Sequence, residues 1–448
     1  MKKEELVTER PSMLKMTWPI FIELALQIFV GYIDQFMISR FDETLVGAVT
    51  NATQILNLVI LVFSVVSTAT TILIVQHLGA KEYGKLSEIY TLSVAINIVF
   101  SSVISLLLFL LAPNFALWMR IPVNMQPHFI AYMQIVGGGM FLQAIFLIFS
   151  AFYKSNGLMK HTMLFAVIMN ALNLIGNFLL IYGIGPFPTL GIKGAAISTV
   201  FSKLVGAILI VAIFFKVTDV KLDIKTLKPF PADTFKKILK IGIPSAGENV
   251  SYDSSILVIL IFVNMLGEVP LNTRSYGVMF SMLCCVFTMA VGNALRITVG
   301  YLIGAKRHDE VAKVITKSIF WSLIISVGTT VLILIFSDAF FGLFTDNPEI
   351  LALGKKAMFV EIFLEIGRTI NIIMVSSLQA AGDIKFPVTL GIISNWTVAV
   401  VLSYVFGIVL DFGLVGIWWA MAIDEILRGV IFIFRFKSGA WRKKNLLA

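Results

Sequence analysis

Residues 18–40 read WPIFIELALQIFVGYIDQFMISR, an apolar stretch of bilayer-spanning length that carries Glu23, Gln27, Gly31 and Asp34 at spacings of four, four and three. Those spacings place all four on one helix face. A carboxylate at membrane depth costs about 2.5–3.5 kcal/mol on insertion scales, so it is expected to face a polar cavity and to mark an ion or proton pathway. Asp34 is therefore the candidate centre of function.

The rest of the chain has the same character. Of its 448 residues 58% are hydrophobic and 14% charged, and the mean hydropathy is +0.92. That composition belongs to a polytopic, all-α membrane protein. Twelve apolar segments approach the length of a span: 14–38, 50–76, 88–113, 128–153, 162–183, 192–215, 238–266, 273–303, 315–340, 355–381, 386–410 and 413–436. The first 13 residues, MKKEELVTERPSM, are polar and lack a small-residue cleavage site, so the first span is expected to stay uncleaved.

The net charge of +9 does not indicate nucleic acid, because the basic residues cluster in short loops between spans. Twenty-five of the 35 Lys and Arg fall at the termini and in the loops after even-numbered spans, against six in the other loops. By the positive-inside rule both termini are expected in the cytoplasm, in a multi-pass protein of the plasma membrane. Lys203, Arg296, Arg368 and Arg428 lie within spans. Cys284 and Cys285 are adjacent and poorly placed for a structural disulfide. No spacing of the four histidines suggests a metal site, and neither a cofactor nor a catalytic constellation is expected.

The chain repeats itself. Pro19 pairs with Pro244, Glu23 with Glu248, Gly79 with Gly304 and Gly157 with Gly382 at an offset of 225; LGIKGAA from Leu190 pairs with FGLVGIW at 222. Six spans per half is an even number, so the repeats run parallel: two pseudo-symmetric six-helix bundles are expected around a central cleft. The halves are 1–216 and 238–448, joined by a basic cytoplasmic linker, 217–237, with Pro229 and Pro231.

These features together resemble the multidrug and toxic compound extrusion family. The likeness rests on the Pro19, Gln27, Gly31, Asp34 pattern, the GAK turns after spans 2 and 8, LNLIGNFLLIYG in span 5, LGIKGAAIS entering span 6 and QAAGDIKFPV after span 10. It implies export of amphipathic, often cationic small molecules in exchange for protons or, alternatively, sodium ions, by a chain whose partners are its substrates and membrane lipids. A monomer is expected. A flippase for lipid-linked saccharides of the wider superfamily is the rival, expected to carry more spans and a basic cavity.

The resemblance puts the coupling acid at Asp34 and supporting residues at Asn173 and Asn177. Asn170 shares their helix face by spacing, and amides so placed can hydrogen-bond the acid or ligate an ion. In the second half, positions where some members carry acids read Tyr252 and Arg368. Glu23, Gln27, Asn170, Glu248, Tyr252, Asp253, Glu365 and Arg368 are candidates for the substrate cavity. Glu365 and Arg368, and Asp424 and Arg428, are also spaced for ion pairs within their own helices. With one clear acid in the first half, the expected coupling ion is the proton.

Overall fold

A computed structural model describes residues 12–41 and 46–444. The N-terminal polar stretch and the last residues of the chain lie outside that description. Twelve long helices follow one another: α1 (Met13–Phe41), α2 (Val46–Gly79), α3 (Leu86–Leu110), α4 (Gln126–Ser155), α5 (Met159–Tyr182), α6 (Ile192–Val217), α7 (Ala232–Met265), α8 (Glu268–Gly304), α9 (His308–Ile335), α10 (Pro348–Ala380), α11 (Lys385–Val409) and α12 (Gly413–Lys437). Ten are long and apolar enough to cross a membrane. The other two, α10 and α12, hold most of the acids and arginines that the fold buries. Most helices run several residues past the apolar segments that announced them, because a span continues as helix into the polar interface, where hydropathy fades and backbone bonding does not.

The chain divides into two compact units, residues 1–78 with 82–242, and residues 79–81 with 243–448. The boundary at Gly242 falls inside α7. Within the first unit, the segment between α6 and α7 is tied to α3: Ser87 donates to the Lys221 carbonyl at 2.8 Å and the Asp223 amide donates to Thr91 at 3.0 Å.

The repeat is written in backbone geometry. Lys81 and Lys306 both take positive φ, at 61° and 57°, as do Gly157 and Gly382, at 78° and 90°. Behind each, a helix closes with the same bond, Glu82 to the His77 carbonyl, Arg307 to Leu302, Leu158 to Tyr153 and Asp383 to Leu378, all at 2.9 Å. These are left-handed C-terminal caps in two related pairs. Short helices Ala112–Trp118 and Ser337–Gly342 also start at positions 225 apart. One face of α3 buries Ser93, Asn97, Ser101 and Ser105, and its counterpart α9 buries Ser318, Ser322, Ser326 and Thr330. Small polar side chains every fourth residue let neighbouring helices approach closely in lipid. The opposite face of α3 exposes Val99, Val103, Leu106 and Leu110, as a lipid-contacting face should.

Each unit has its own core. In the first, Met37 and Ile38 of α1 pack with Ala52, Leu56 and Phe63 of α2 and with Phe129, Met133 and Met140 of α4. In the second, Phe280 and Cys284 of α8 pack with Met358 and Leu364 of α10 and with Trp418 of α12. Helix α4 passes through a π-helical turn at Met133–Gly137 and α11 through two, at Asn395–Val400 and Val405–Val409. Proline interrupts α1 at Pro19 and α7 at Pro244; a proline inside a helix removes one backbone bond and favours a kink.

Candidate functional site

Asp34 sits half-buried on α1, and α5 supplies its partners. Asn177 donates from Nδ2 to Asp34 Oδ1 at 2.7 Å. Asn173, with its amide assigned so that every neighbour is matched, donates to both carboxylate oxygens, at 3.1 and 3.2 Å, and accepts from the Thr199 hydroxyl of α6 at 3.2 Å. Both amides are buried. The closeness of α5 and α6 comes from Gly176, where a Cβ would fall 2.4 Å from Ser198 Oγ. Ser198 in turn donates to the Asn173 carbonyl at 2.8 Å. The Tyr182 hydroxyl binds the Met37 carbonyl at 2.9 Å and pins the far end of α5 to α1.

Two further groups act on the acid. The charge of Lys203, on α6, stabilises the Asp34 carboxylate, and the Tyr132 hydroxyl of α4 lies within its field. The residues thus form one constellation on four helices of the first unit: an acid, two amide donors, an ammonium and a phenol. The two groups in hydrogen-bond contact with Asp34 among the described residues are amide donors, while the Tyr132 hydroxyl bonds Thr53. Asn177 Oδ1 is buried and has no hydrogen-bond partner among the described residues.

The other candidates of the first half lie elsewhere. Glu23 pairs with Lys154 at 2.8 Å and accepts from Thr162 at 3.2 Å, which makes a separate polar contact between α1, α4 and α5. Gln27 is exposed, and Asn170 is half-buried with no hydrogen bond to Asp34. Lys203 and Thr199 were not singled out from sequence. Lys203 did leave a signal, as the one basic residue of the first half set well inside a span, but nothing in its spacing named its partner.

In the second unit the candidates fall into buried networks. Arg368 binds Glu365, Glu361 Oε1 at 3.1 Å and Ser281 Oγ at 2.8 Å. Glu361 also accepts from Ser281 and, at 2.6 Å, from Trp418 Nε1; Glu365 also accepts from Ser326. Both glutamates are 0% exposed. On α12, Arg428 binds Asp424 at 2.7 Å and Glu425 at 2.8 Å; Asn371 donates to Glu425 and Ser394 to Asp424. The two ion pairs suggested by spacing are present, each with a second acid. Gly367 makes room for the contact, since a Cβ there would lie 2.5 Å from the Ile426 amide nitrogen. Glu248 accepts from Gln379 at 3.3 Å and lies in the field of Arg296 and Arg428. Tyr252 lies in the field of Glu425, Arg368 and Arg428, and Asp253 is half-buried with no hydrogen bond or ion pair among the described residues.

The MatE family model matches residues 19–179 and again 244–405, once in each repeat. An uncharacterized transporter of Bacillus subtilis, YisQ, is 38% identical over 435 residues, covering 97% of this chain and 96% of its own. The probable multidrug resistance protein NorM of Thermotoga maritima is 26% identical, over 99% and 96% of the two chains. Among solved structures, a multidrug resistance MATE family transporter in an outward-facing conformation superposes with a TM-score of 0.90 at 18% identity, and a MOP superfamily transporter from Pyrococcus furiosus with 0.89 at 19%; each covers 99% of both chains. Likeness at that identity establishes the shared fold.

Proposed function

The chain belongs to the multidrug and toxic compound extrusion family of transporters, and from that premise we propose that it is a secondary active antiporter, exporting amphipathic cationic compounds in exchange for protons. The carrying observation is Asp34, an acid within a span, held by Asn173 and Asn177 and neighboured by Lys203. An acid so placed can hold a proton or face a cationic cargo, and the two occupancies oppose each other. Binding of either weakens the other by the same factor, which is the thermodynamic requirement for exchange.

The donor set favours protons over sodium. Sodium, a hard cation, calls for several oxygen ligands. Here the charge of Lys203 already acts on the Asp34 carboxylate, so a second, fixed metal cation beside it has less to gain. A proton needs only one carboxylate oxygen. The reading places both termini in the cytoplasm of a plasma-membrane protein, from the loop charges. It is less easily reconciled with a lipid-linked saccharide flippase, because Arg368 and Arg428 each face two carboxylates and present no basic surface to a pyrophosphate.

Dye uptake into proteoliposomes under a proton gradient and, separately, a sodium gradient tests the proposal. Uptake of a cationic dye driven by the proton gradient alone is expected. Uptake that requires sodium would overturn the choice of ion, and no uptake under either gradient would favour the flippase.

A further inference from the structure

Lys203 lies one helical turn after Thr199 on α6, and a spacing of four puts both on one face. Thr199 meets Asn173, Asn173 meets Asp34, and the charge of Lys203 acts on that same carboxylate. Yet the hydrogen-bonding contact of its ammonium among the described residues is Met140 Sδ, at 3.9 Å. A thioether is a weak acceptor and does not satisfy an ammonium. Of the four basic residues set well inside spans, Lys203 is the one in the first half.

We propose that Lys203 is the resident counter-cation of Asp34, holding the carboxylate ionised while the site is empty and yielding it when a cationic compound or a proton takes its place. This rests on the reading of Asp34 as the coupling group and adds a third contender for it. A lysine suits the task because its charge is compact and sits on a flexible four-carbon stem, so it can approach and withdraw without moving the helix. Met140 gives the ammonium a resting surface from which little binding must be broken. The titratable and polar groups around Asp34 among the described residues are few: neutral amides from α5 in contact with it, and, within its field, Lys203 from α6 and Tyr132 from α4, whose hydroxyl bonds Thr53. Lys203 is thus the one cation near the acid among them. Its removal leaves the carboxylate less stabilised, so the proton stays bound to higher pH.

Binding of ethidium to the purified full-length protein in detergent, followed across pH, tests this with Lys203→Met, Lys203→Arg and Asp34→Asn. For Lys203→Met the pH midpoint of binding is expected to rise by about one unit, and affinity well above the midpoint to tighten by about tenfold because a competitor is gone. Lys203→Arg is expected to keep the parent's profile. Lys203→Gln substitutes for the methionine variant should the latter fail to fold. A Lys203→Met protein with the parent's midpoint and affinity overturns the inference, as does an arginine variant that shifts equally far. Asp34→Asn with the parent's pH dependence would instead overturn the reading of Asp34 itself, and a parent that binds no ethidium at any pH counts against both.

Discussion

The two units share a plan and spend their buried charge in opposite ways. Glu23 meets Lys154 at 2.8 Å in the first, and their repeat partners Glu248 and Gln379 meet at 3.3 Å in the second. From there the units diverge. Asp34 corresponds to Ile259, which is 1% exposed in the second core. Lys203 corresponds, at the offset of 222, to Glu425, and Met140 to Glu365. Around Asp34 the first unit keeps one acid, amide donors and a loosely held ammonium; the second surrounds each of two arginines with two carboxylates and fills the carboxylates' remaining acceptor positions with donors from Ser281, Ser326, Asn371, Ser394 and Trp418. A densely bonded buried network is rigid even where one donor, Arg428 Nε, stays unpaired among the described residues, and a sparsely bonded one can change partners. The difference is the one expected if exchange runs through Asp34 in the first unit while the second serves as scaffold.

That contrast can be broken at its strongest point first. Arg368→Met leaves Glu361 and Glu365 buried without their cation, a loss expected to cost about 3–5 kcal/mol. Thermal unfolding in detergent should show a large drop, and an unaltered unfolding temperature would show that the network is not structural. In the first unit the expected effect is functional. Asn177→Ala removes a hydrogen bond to a charged group, worth about 1.5–3 kcal/mol to the ionised form. The pH midpoint of dye transport should therefore rise by about one to two units with stability near the parent's. A stability loss without a midpoint shift would make Asn177 a packing residue.

Smaller effects sharpen the comparison. Glu23→Gln disrupts a partly exposed ion pair with Lys154, and a loss of about 1 kcal/mol is expected, without a change in coupling. A shifted pH profile in that variant would extend the coupling site along α1. Arg307→Gln removes an exposed pair with Glu310 within the first turn of α9 and should change stability by no more than about 0.5 kcal/mol, as measured by the same unfolding assay.

Much of this was legible in the sequence, for physical reasons. Span length is fixed by the bilayer and the repeat by matched prolines and glycines, so twelve helices, and the paired caps at Lys81, Lys306, Gly157 and Gly382, follow from one-dimensional signals. Asp34 stood out because an acid in a span is costly, and Asn173 and Asn177 because helical spacing puts them on one face. The same spacing wrongly grouped Asn170 with them as far as contact with Asp34 goes, since a shared face fixes direction and not depth. Lys203 and Thr199 needed the approach of α6 to α5 that Gly176 permits. Trp418 reaches Glu361 only through the packing of α12 on α10, and Ser281 reaches Arg368 only through that of α8 on α10. Such contacts between helices are tertiary facts, and periodicity along one helix does not report them.

The central claim, that Asp34 carries the coupling proton, meets its most direct test in proton-gradient-driven uptake of a cationic dye into inverted vesicles, comparing the parent with Asp34→Asn at matched protein levels. Uptake is expected to be abolished while the variant unfolds at the parent's temperature. Uptake that persists at the parent's rate in Asp34→Asn would contradict it.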